Sequence, residues 1–190
     1  NAINHKQNLS FSGGSNKSSY YLSVGYLNQN SVLQFGTDYY NRFNITGKFD
    51  FDITDWWSIS YEPRYSNSVR ERPNMAQGEA VDYDHMFRHL LRAYPWTPMY
   101  NGWGSPEDGG GYIMESHIPT ILSGTDKSDI RDYWNTFKTE INLFEGLKLN
   151  ADITFNDYSR VNTRVHKTVF IQNVDKTLSP LGTTMPNQYE

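Results

Sequence analysis

The odd-numbered residues between positions 39 and 53 are Tyr39, Asn41, Phe43, Ile45, Gly47, Phe49, Phe51 and Ile53. The even-numbered ones are Tyr40, Arg42, Asn44, Thr46, Lys48, Asp50 and Asp52. One set is almost wholly apolar, and the other is polar or charged. Successive side chains of a β-strand point to opposite faces, so this segment reads as a strand that separates an apolar medium from a wet one. Its length is the sharper constraint. The alternation persists for roughly three times the 5–6 residues usual in soluble strands. At about 3.3 Å per residue and about 40° of tilt, such a strand rises on the order of 35–40 Å, enough to cross a bilayer and protrude.

The pattern recurs along the chain. Trp57, Ile59, Tyr61, Pro63 and Tyr65 alternate with Ser58, Ser60, Glu62, Arg64 and Ser66. Tyr133, Phe137, Ile141 and Leu143 alternate with Thr136, Lys138, Glu140 and Asn142. Leu147, Leu149, Ala151, Ile153 and Phe155 alternate with Lys148, Asn150, Asp152, Thr154 and Asn156. Tyr20, Leu22, Val24 and Tyr26 share one face, and Leu9 with Phe11 belongs to an earlier strand. Six strands are predicted, near 5–12, 18–27, 39–53, 56–68, 131–144 and 147–160, with a weaker one over 164–174. The connections sort by length. Residues 13–16, Thr54-Asp55 and Glu145-Gly146 are short, 28–38 is of medium length, and 69–130 is very long. Short turns at one end and long loops at the other are a property of outer-membrane barrels. Trp56, Trp57 and Phe144 lie beside tight turns; Tyr39, Tyr40, Tyr65, Tyr133 and Trp134 lie toward the long loops. Tyr and Trp favour a membrane interface, because their rings are apolar and their tips hydrogen-bond.

Composition narrows the classes further. With a mean hydropathy of -0.71, no run approaches the roughly 20 apolar residues of a spanning helix. Yet the chain carries 14 Tyr, 10 Phe and 5 Trp, which suits aromatic girdles around a wet lumen, or a sugar-binding β domain. The absence of cysteine excludes disulfides, thiolate zinc sites and cysteine nucleophiles. A net charge of -4 argues against a nucleic-acid partner. The chain opens at Asn1 without a signal pattern and stops at Glu190 in loop-like composition. It reads as an internal piece of a longer polypeptide, so the missing signal does not argue for the cytoplasm.

The stretch 69–130 is too long for an idle connection. It predicts a helix over 81–93, capped by Asp82 or Asp84, with Met86/Leu90 and Phe87/Leu91 at i, i+4 spacing and an end before Pro95. Beyond it, Tyr94, Trp96, Tyr100, Trp103 and Tyr112 are set on Pro- and Gly-rich turns. These five are candidate ligand- or partner-binding residues; the alternative is that they pack the loop against a barrel rim. His85 and His89 have a zinc-compatible spacing but no third ligand, and read as ordinary histidines. Asp50, Asp52, Glu62 and Glu140 share polar faces with Lys48, Arg64 and Lys138, which suits lumen-lining charge better than a glycosidase pair. Gly109-Gly110-Gly111 lacks the Lys-Ser/Thr of a phosphate loop. No catalytic residue, metal or cofactor is predicted.

Asn8-Leu9-Ser10-Phe11-Ser12-Gly13-Gly14-Ser15 followed by Ser19-Tyr20-Tyr21-Leu22-Ser23-Val24-Gly25-Tyr26 resembles barrel strands of SusC-like TonB-dependent transporters of Bacteroidetes. The run from Arg42 through Asp55 to Trp56 resembles their next hairpin, and Tyr94-Pro95-Trp96-Thr97-Pro98-Met99-Tyr100-Asn101-Gly102 their Pro-rich extracellular segment. Gln29-Asn30-Ser31 departs from the Gly-containing turn of that pattern. The resemblance covers roughly residues 8–112. It implies a barrel of about 22 strands filled by a plug. It implies a SusD-like surface lipoprotein as lid, energy from TonB, and a glycan or peptide as cargo.

The expected fold is therefore all-β: an antiparallel transmembrane β-barrel segment of six to eight strands, with a long extracellular loop that contains a short helix. Phe43, Ile45, Phe49, Phe51 and Ile53 would face lipid; Arg42, Lys48, Asp50, Asp52, Glu62 and Arg64 would face the lumen. The expected role is nutrient import across the outer membrane of a Gram-negative bacterium. The alternative is a soluble β-sandwich carbohydrate-binding module, whose apolar faces would be pressed together in a core.

Overall fold

The structure is a computed structural model that describes residues 2–74, 91, 94–104, 107, 110–113, 118–181 and 188–189. Its body is a meander of long antiparallel strands: β1 (Asn4–Ser15), β2 (Ser18–Asn30), β3 (Tyr39–Thr54), β4 (Trp57–Pro73), β5 (Gly124–Phe144) and β6 (Leu147–His166). Each pairs with the next in chain order. A short helix, α1 (Ile118–Leu122), precedes β5. A small hairpin of β7 (Val169–Gln172) and β8 (Leu178–Leu181) forms a second sheet, and β9 (Gln188–Tyr189) returns to pair with β6. The architecture is all-β and antiparallel, with principal strands of 12 to 21 residues, the lengths of barrel staves rather than of a soluble sandwich.

The register turns sequence alternation into two surfaces. Gly13, Tyr20, Phe49, Tyr61, Phe137 and Ile153 lie side by side across the six strands. Shifted by one residue, Gly14, Ser19, Asp50, Ser60, Lys138 and Asp152 form the adjoining row on the opposite face. A slip of one residue in any pairing would interleave the two sets, so the apolar pattern and the tight turns together fix the register. Rings reinforce the apolar rows. Phe49 and Tyr61 stack at 6.3 Å, Tyr61 and Phe137 at 4.6 Å, and Tyr65 meets Tyr133 edge-on at 6.4 Å.

No second layer covers this apolar face among the described residues. Ile153 is 58% exposed, Phe155 61% and Leu9 57%. Among the described residues the buried large aliphatic side chains are Ile118 and Ile121, both on α1 and outside the sheet. A two-layer sandwich would show the reverse, with the strand faces closed on each other. An apolar surface of this extent requires a membrane or a large partner to cover it.

The turns fall where two-residue connections close the hairpins: Asn16-Lys17, Asp55-Trp56 and Glu145-Gly146, the last with Gly146 at φ 92°. Two expectations are corrected here. Gly13 and Gly14 are strand residues, not turn residues. A Cβ on Gly13 would stand 2.6 Å from Tyr20 Oη, so this glycine makes room for a cross-strand ring. The second tight turn is Asp55-Trp56 rather than Thr54-Asp55, because β3 continues through Thr54 across a bulge at 52–54. The weak strand placed over 164–174 divides between the end of β6 and β7. The helix expected over 81–93 lies outside the described residues, apart from Leu91.

The glycine missing from 29–31 is supplied later in the same loop. Gly36 adopts φ 81°, where an added Cβ would meet Ile121 Cγ2 at 2.9 Å and Pro73 Cγ at 3.1 Å. This locks the 31–38 loop onto α1 and the end of β4. Gly36→Val should cost about 1–2 kcal/mol from the left-handed backbone alone, before the clash is added. Limited proteolysis should then cut the 31–38 loop faster than in the native protein; unchanged protection would show that the loop is held by something else.

Candidate functional site

The wet face carries the six charged residues expected to line a lumen. Arg42, Lys48, Asp50, Asp52, Glu62 and Arg64 share one parity of the register, with Ser68, Tyr21, Ser19, Ser58, Thr136 and Trp134 as neighbours in turn. Their charges are cross-linked. Lys138 Nζ donates to Glu62 Oε1 at 2.9 Å, Lys48 lies 3.6 Å from Asp50, and Lys148 pairs with Glu140. Ser19 and Ser60 both donate to Asp50. Such exposed pairs contribute only about 0–1 kcal/mol each. They do bear on chemistry: Asp50, Glu62 and Glu140 each sit against a cation, which is not the arrangement of an acid and a base flanking a scissile bond. Among the described residues no group of three or more His, Cys, Asp or Glu could hold a metal ion.

Nearer the long-loop end, the same face forms a trough of about 430 Å³ lined by Arg70, Arg72, Arg160 and Arg164 with Ser68 and Ser128. Its arginines stand on β4 and β6, and the narrower side chains of β5 lie between them. Asp126 holds Arg72 at 3.0 Å and Arg164 at 3.9 Å. Sequence reading missed this cluster. Beyond Val69 the strand continues Arg70-Glu71-Arg72, polar on both faces, so hydrophobic alternation no longer announces that it continues. Trp134 was also missed as a wet-face residue: it sits between Arg64 and Asn156, in a second depression with Asn44, Thr46, Ser66 and Asp132. Its even number in a strand of odd-numbered apolar residues is the signal that could have found it.

Between Tyr133 and Leu143 the apolar face has two polar interruptions on β5, and both are bonded. Tyr61 Oη donates to Asn135 Oδ1 at 2.7 Å, and Trp57 Nε1 donates to Thr139 Oγ1 at 2.9 Å. Thr139 Oγ1 in turn lies 3.3 Å from the Ser58 carbonyl. A surface bathed in water would not need these pairings. A surface in hydrocarbon does, because each unsatisfied polar group there costs several kcal/mol.

The five loop aromatics are not brought into one cluster. Tyr100 and Tyr112 form an isolated β-bridge, with rings 5.4 Å apart. Burial, with Tyr100 and Glu107 nearby, raises the Tyr112 pKa above the ordinary phenol value. Around this bridge the loop is sewn to β7: Asn101 donates to the Gly111 carbonyl at 3.0 Å, Gln172 N donates to the Tyr112 carbonyl at 3.1 Å, and the Asn101 amide bonds the Gln172 side chain. Trp103 lies under Lys176 Nζ, 5.0 Å from the ring centre. Lys176 takes φ 68° in the β7–β8 turn. Tyr94 and Trp96 instead stack on each other at 5.0 Å and 13°, and stay 64% and 77% exposed. Tyr100, Trp103 and Tyr112 are thus engaged with the loop and the β7–β8 hairpin, Trp103 while still 39% exposed, and Tyr94 and Trp96 are the more exposed pair. His85 and His89 lie outside the described residues.

No family model matches the chain. It is 26% identical over 159 residues to a TonB-dependent receptor of Formosa agariphila, an alignment that covers 81% of this chain and 14% of that protein. The chain thus spans about a seventh of the length of the relative it matches.

Proposed function

We propose that this chain is part of the wall of a SusC-like TonB-dependent importer in the outer membrane of a Gram-negative bacterium. The complete protein would take up a nutrient, a glycan or oligosaccharide or a peptide, with a SusD-like lipoprotein as its surface lid and TonB as its source of energy. One observation carries the reading: a single sheet of long antiparallel strands has one uncovered apolar face and one charged face. From Phe43 to Ile53 the apolar side of β3 runs ten residue steps, which at about 3.3 Å each and about 40° of tilt rise about 25 Å, the height of the lipid-facing band of such barrels. Trp56 and Trp57, with rings 6.4 Å apart beside a tight turn, suit one interface girdle. Similarity to a TonB-dependent receptor supports the transport class. The soluble binding-module reading requires a cover for the apolar face, and the sheet has none among the described residues.

The experiment is fractionation of cells that make the full-length protein, followed by uptake with and without the proton-motive force. Recovery in the outer-membrane fraction, detergent dependence, and uptake lost on de-energising are the expected results. A water-soluble monomer in the periplasm would end the proposal.

The exposed aromatic pair suits contact with cargo or lid. Trp96→Ala should lower uptake or lid retention several-fold while outer-membrane levels stay native. Trp103→Ala, which removes the platform for Lys176, should loosen the β7–β8 hairpin first. Native uptake in the Trp96 variant would remove the pair from the binding surface.

A further inference from the structure

We propose that Trp134, with Arg64 and Asp132, forms a subsite on the wet face for a ring of an uncharged oligosaccharide. The inference rests on the importer reading and deepens it, because it selects saccharide over peptide as cargo. It also places a cargo contact inside the wall, apart from the exposed loop aromatics.

Trp134 interrupts a face made mostly of hydroxyls, amides and charges. It lies between Arg64 of β4 and Asn156 of β6, and its indole is 43% exposed. Thr46 pairs with Arg64, so the indole stands at the level of the 43–53 band, below the long loops. Beside it is a depression of about 370 Å³ bounded by Asn44, Thr46, Arg64, Ser66, Asp132 and Trp134. That is the size of a small-molecule site, with one flat apolar wall and several convergent polar groups. The depression lies on the face of paired strands. An extended peptide is normally held through its amides at a sheet edge, and here the backbone groups are already consumed by the β3–β4 and β4–β5 ladders.

The open polar groups say what such a ligand presents. Among the described residues, neither the Arg64 guanidinium nor Trp134 Nε1 has a hydrogen-bond or ion-pair partner. Asp132 accepts from Asn156 Nδ2 through Oδ1 at 2.7 Å, which fixes the carboxylate and leaves Oδ2 open. Donors and an acceptor thus surround the edge of an exposed indole. A sugar ring has an apolar C–H face and a rim of hydroxyls, each both donor and acceptor. The indole can cover the face while Arg64 and Asp132 meet the rim. One cation and one carboxylate line the depression, a balance that suits an uncharged ligand. Tyr158 adds a second platform. It stands on β6 opposite Asp132, diagonal to Trp134, and is 56% exposed. Diagonal cross-strand neighbours lie about 7–8 Å apart, so two rings at that spacing suit successive units of a chain.

The test uses the full-length protein purified in a detergent without a sugar headgroup. The probes are malto-, cello-, xylo- and mannohexaose, with a pool of uncharged hexapeptides as the contrast. Calorimetric titration should show binding of at least one hexasaccharide to the native protein. Trp134→Ala should weaken it at least tenfold, and Trp134→Phe, which keeps a flat ring, less than threefold. Arg64→Gln should weaken it at least threefold. Asn150→Ala, on the same face nearer the tight turns, should change it less than twofold. Equal binding by the native protein and Trp134→Ala would overturn the proposal, as would binding of the peptides alone or of no probe. Loss of thermal stability in Trp134→Ala without sugar binding in the native protein would likewise overturn it, and would assign the indole to packing against another segment of the polypeptide. Outer-membrane recovery of the same samples reports on the importer reading separately, because sugar binding and membrane location can fail independently.

Discussion

Ile153→Arg is expected to prevent stable assembly of the protein in the membrane, whereas Thr154→Arg, one residue along the same strand, is expected to leave assembly intact. The contrast isolates the medium from the packing. Ile153 is already 58% exposed, so in a water-soluble protein an arginine there would lose little contact and expose nothing new. If that face meets hydrocarbon, an arginine near the midplane costs about 2–4 kcal/mol, roughly a 30- to 700-fold shift in the folding equilibrium. Ile153 lies in the row with Phe137, Tyr61, Phe49 and Tyr20, midway along the apolar band. Thr154 points the other way, where it faces Thr136 Oγ1 at 3.1 Å among charged neighbours. Outer-membrane yield and heat-modifiable gel mobility measure the effect. Equal yields from the two variants would mean that the two faces see the same solvent, and the wall assignment would be lost.

The second large effect concerns a polar group on the wrong side. Tyr61→Phe removes the donor to Asn135 Oδ1 and strands an amide oxygen on the apolar face. In water the loss would be repaired by solvent and cost about 1 kcal/mol or less; in lipid the orphaned group costs about 2 kcal/mol or more. Asn135→Leu in the Tyr61→Phe background removes the orphan and should recover most of the loss, and urea unfolding of the folded barrel in lipid vesicles reads each step. Failure of the leucine to rescue would show that Tyr61 acts through its stack on Phe137 and not through its hydroxyl. Both predictions bear on one inference, that the uncovered face is a lipid face.

The legible part of the fold was the part where the two faces differ. From Phe43 to Ile53, and from Leu147 to Phe155, apolar and polar residues alternate without a break, and the strands lie there. Above that band the legibility ends for a physical reason. Arg70, Arg72, Asp126 and Lys127 are strand residues, yet Glu71 and Lys127 occupy the face that carries Phe49 and Phe137 lower down. With water on both sides no period-two signal survives, so β5 begins at Gly124 rather than near 131 and β4 runs to Pro73 rather than 68. Helix α1 has only five residues and a proline in its first turn, too short for helical periodicity to register. The β7–β8 hairpin is as short, and it is held by partners far away in sequence, Asn101 and Tyr112.

The sequence by itself determined the two-faced strands, the sorting of turns from loops, and the six charged residues of the wet face, because a period of two acts within a few residues and needs no distant partner. Only the tertiary structure decided which strands adjoin, how the loop aromatics divide into packed and open sets, and that four arginines from β4 and β6 line one trough. Those facts depend on register across strands and on contacts between residues tens of positions apart, and no local pattern carries them.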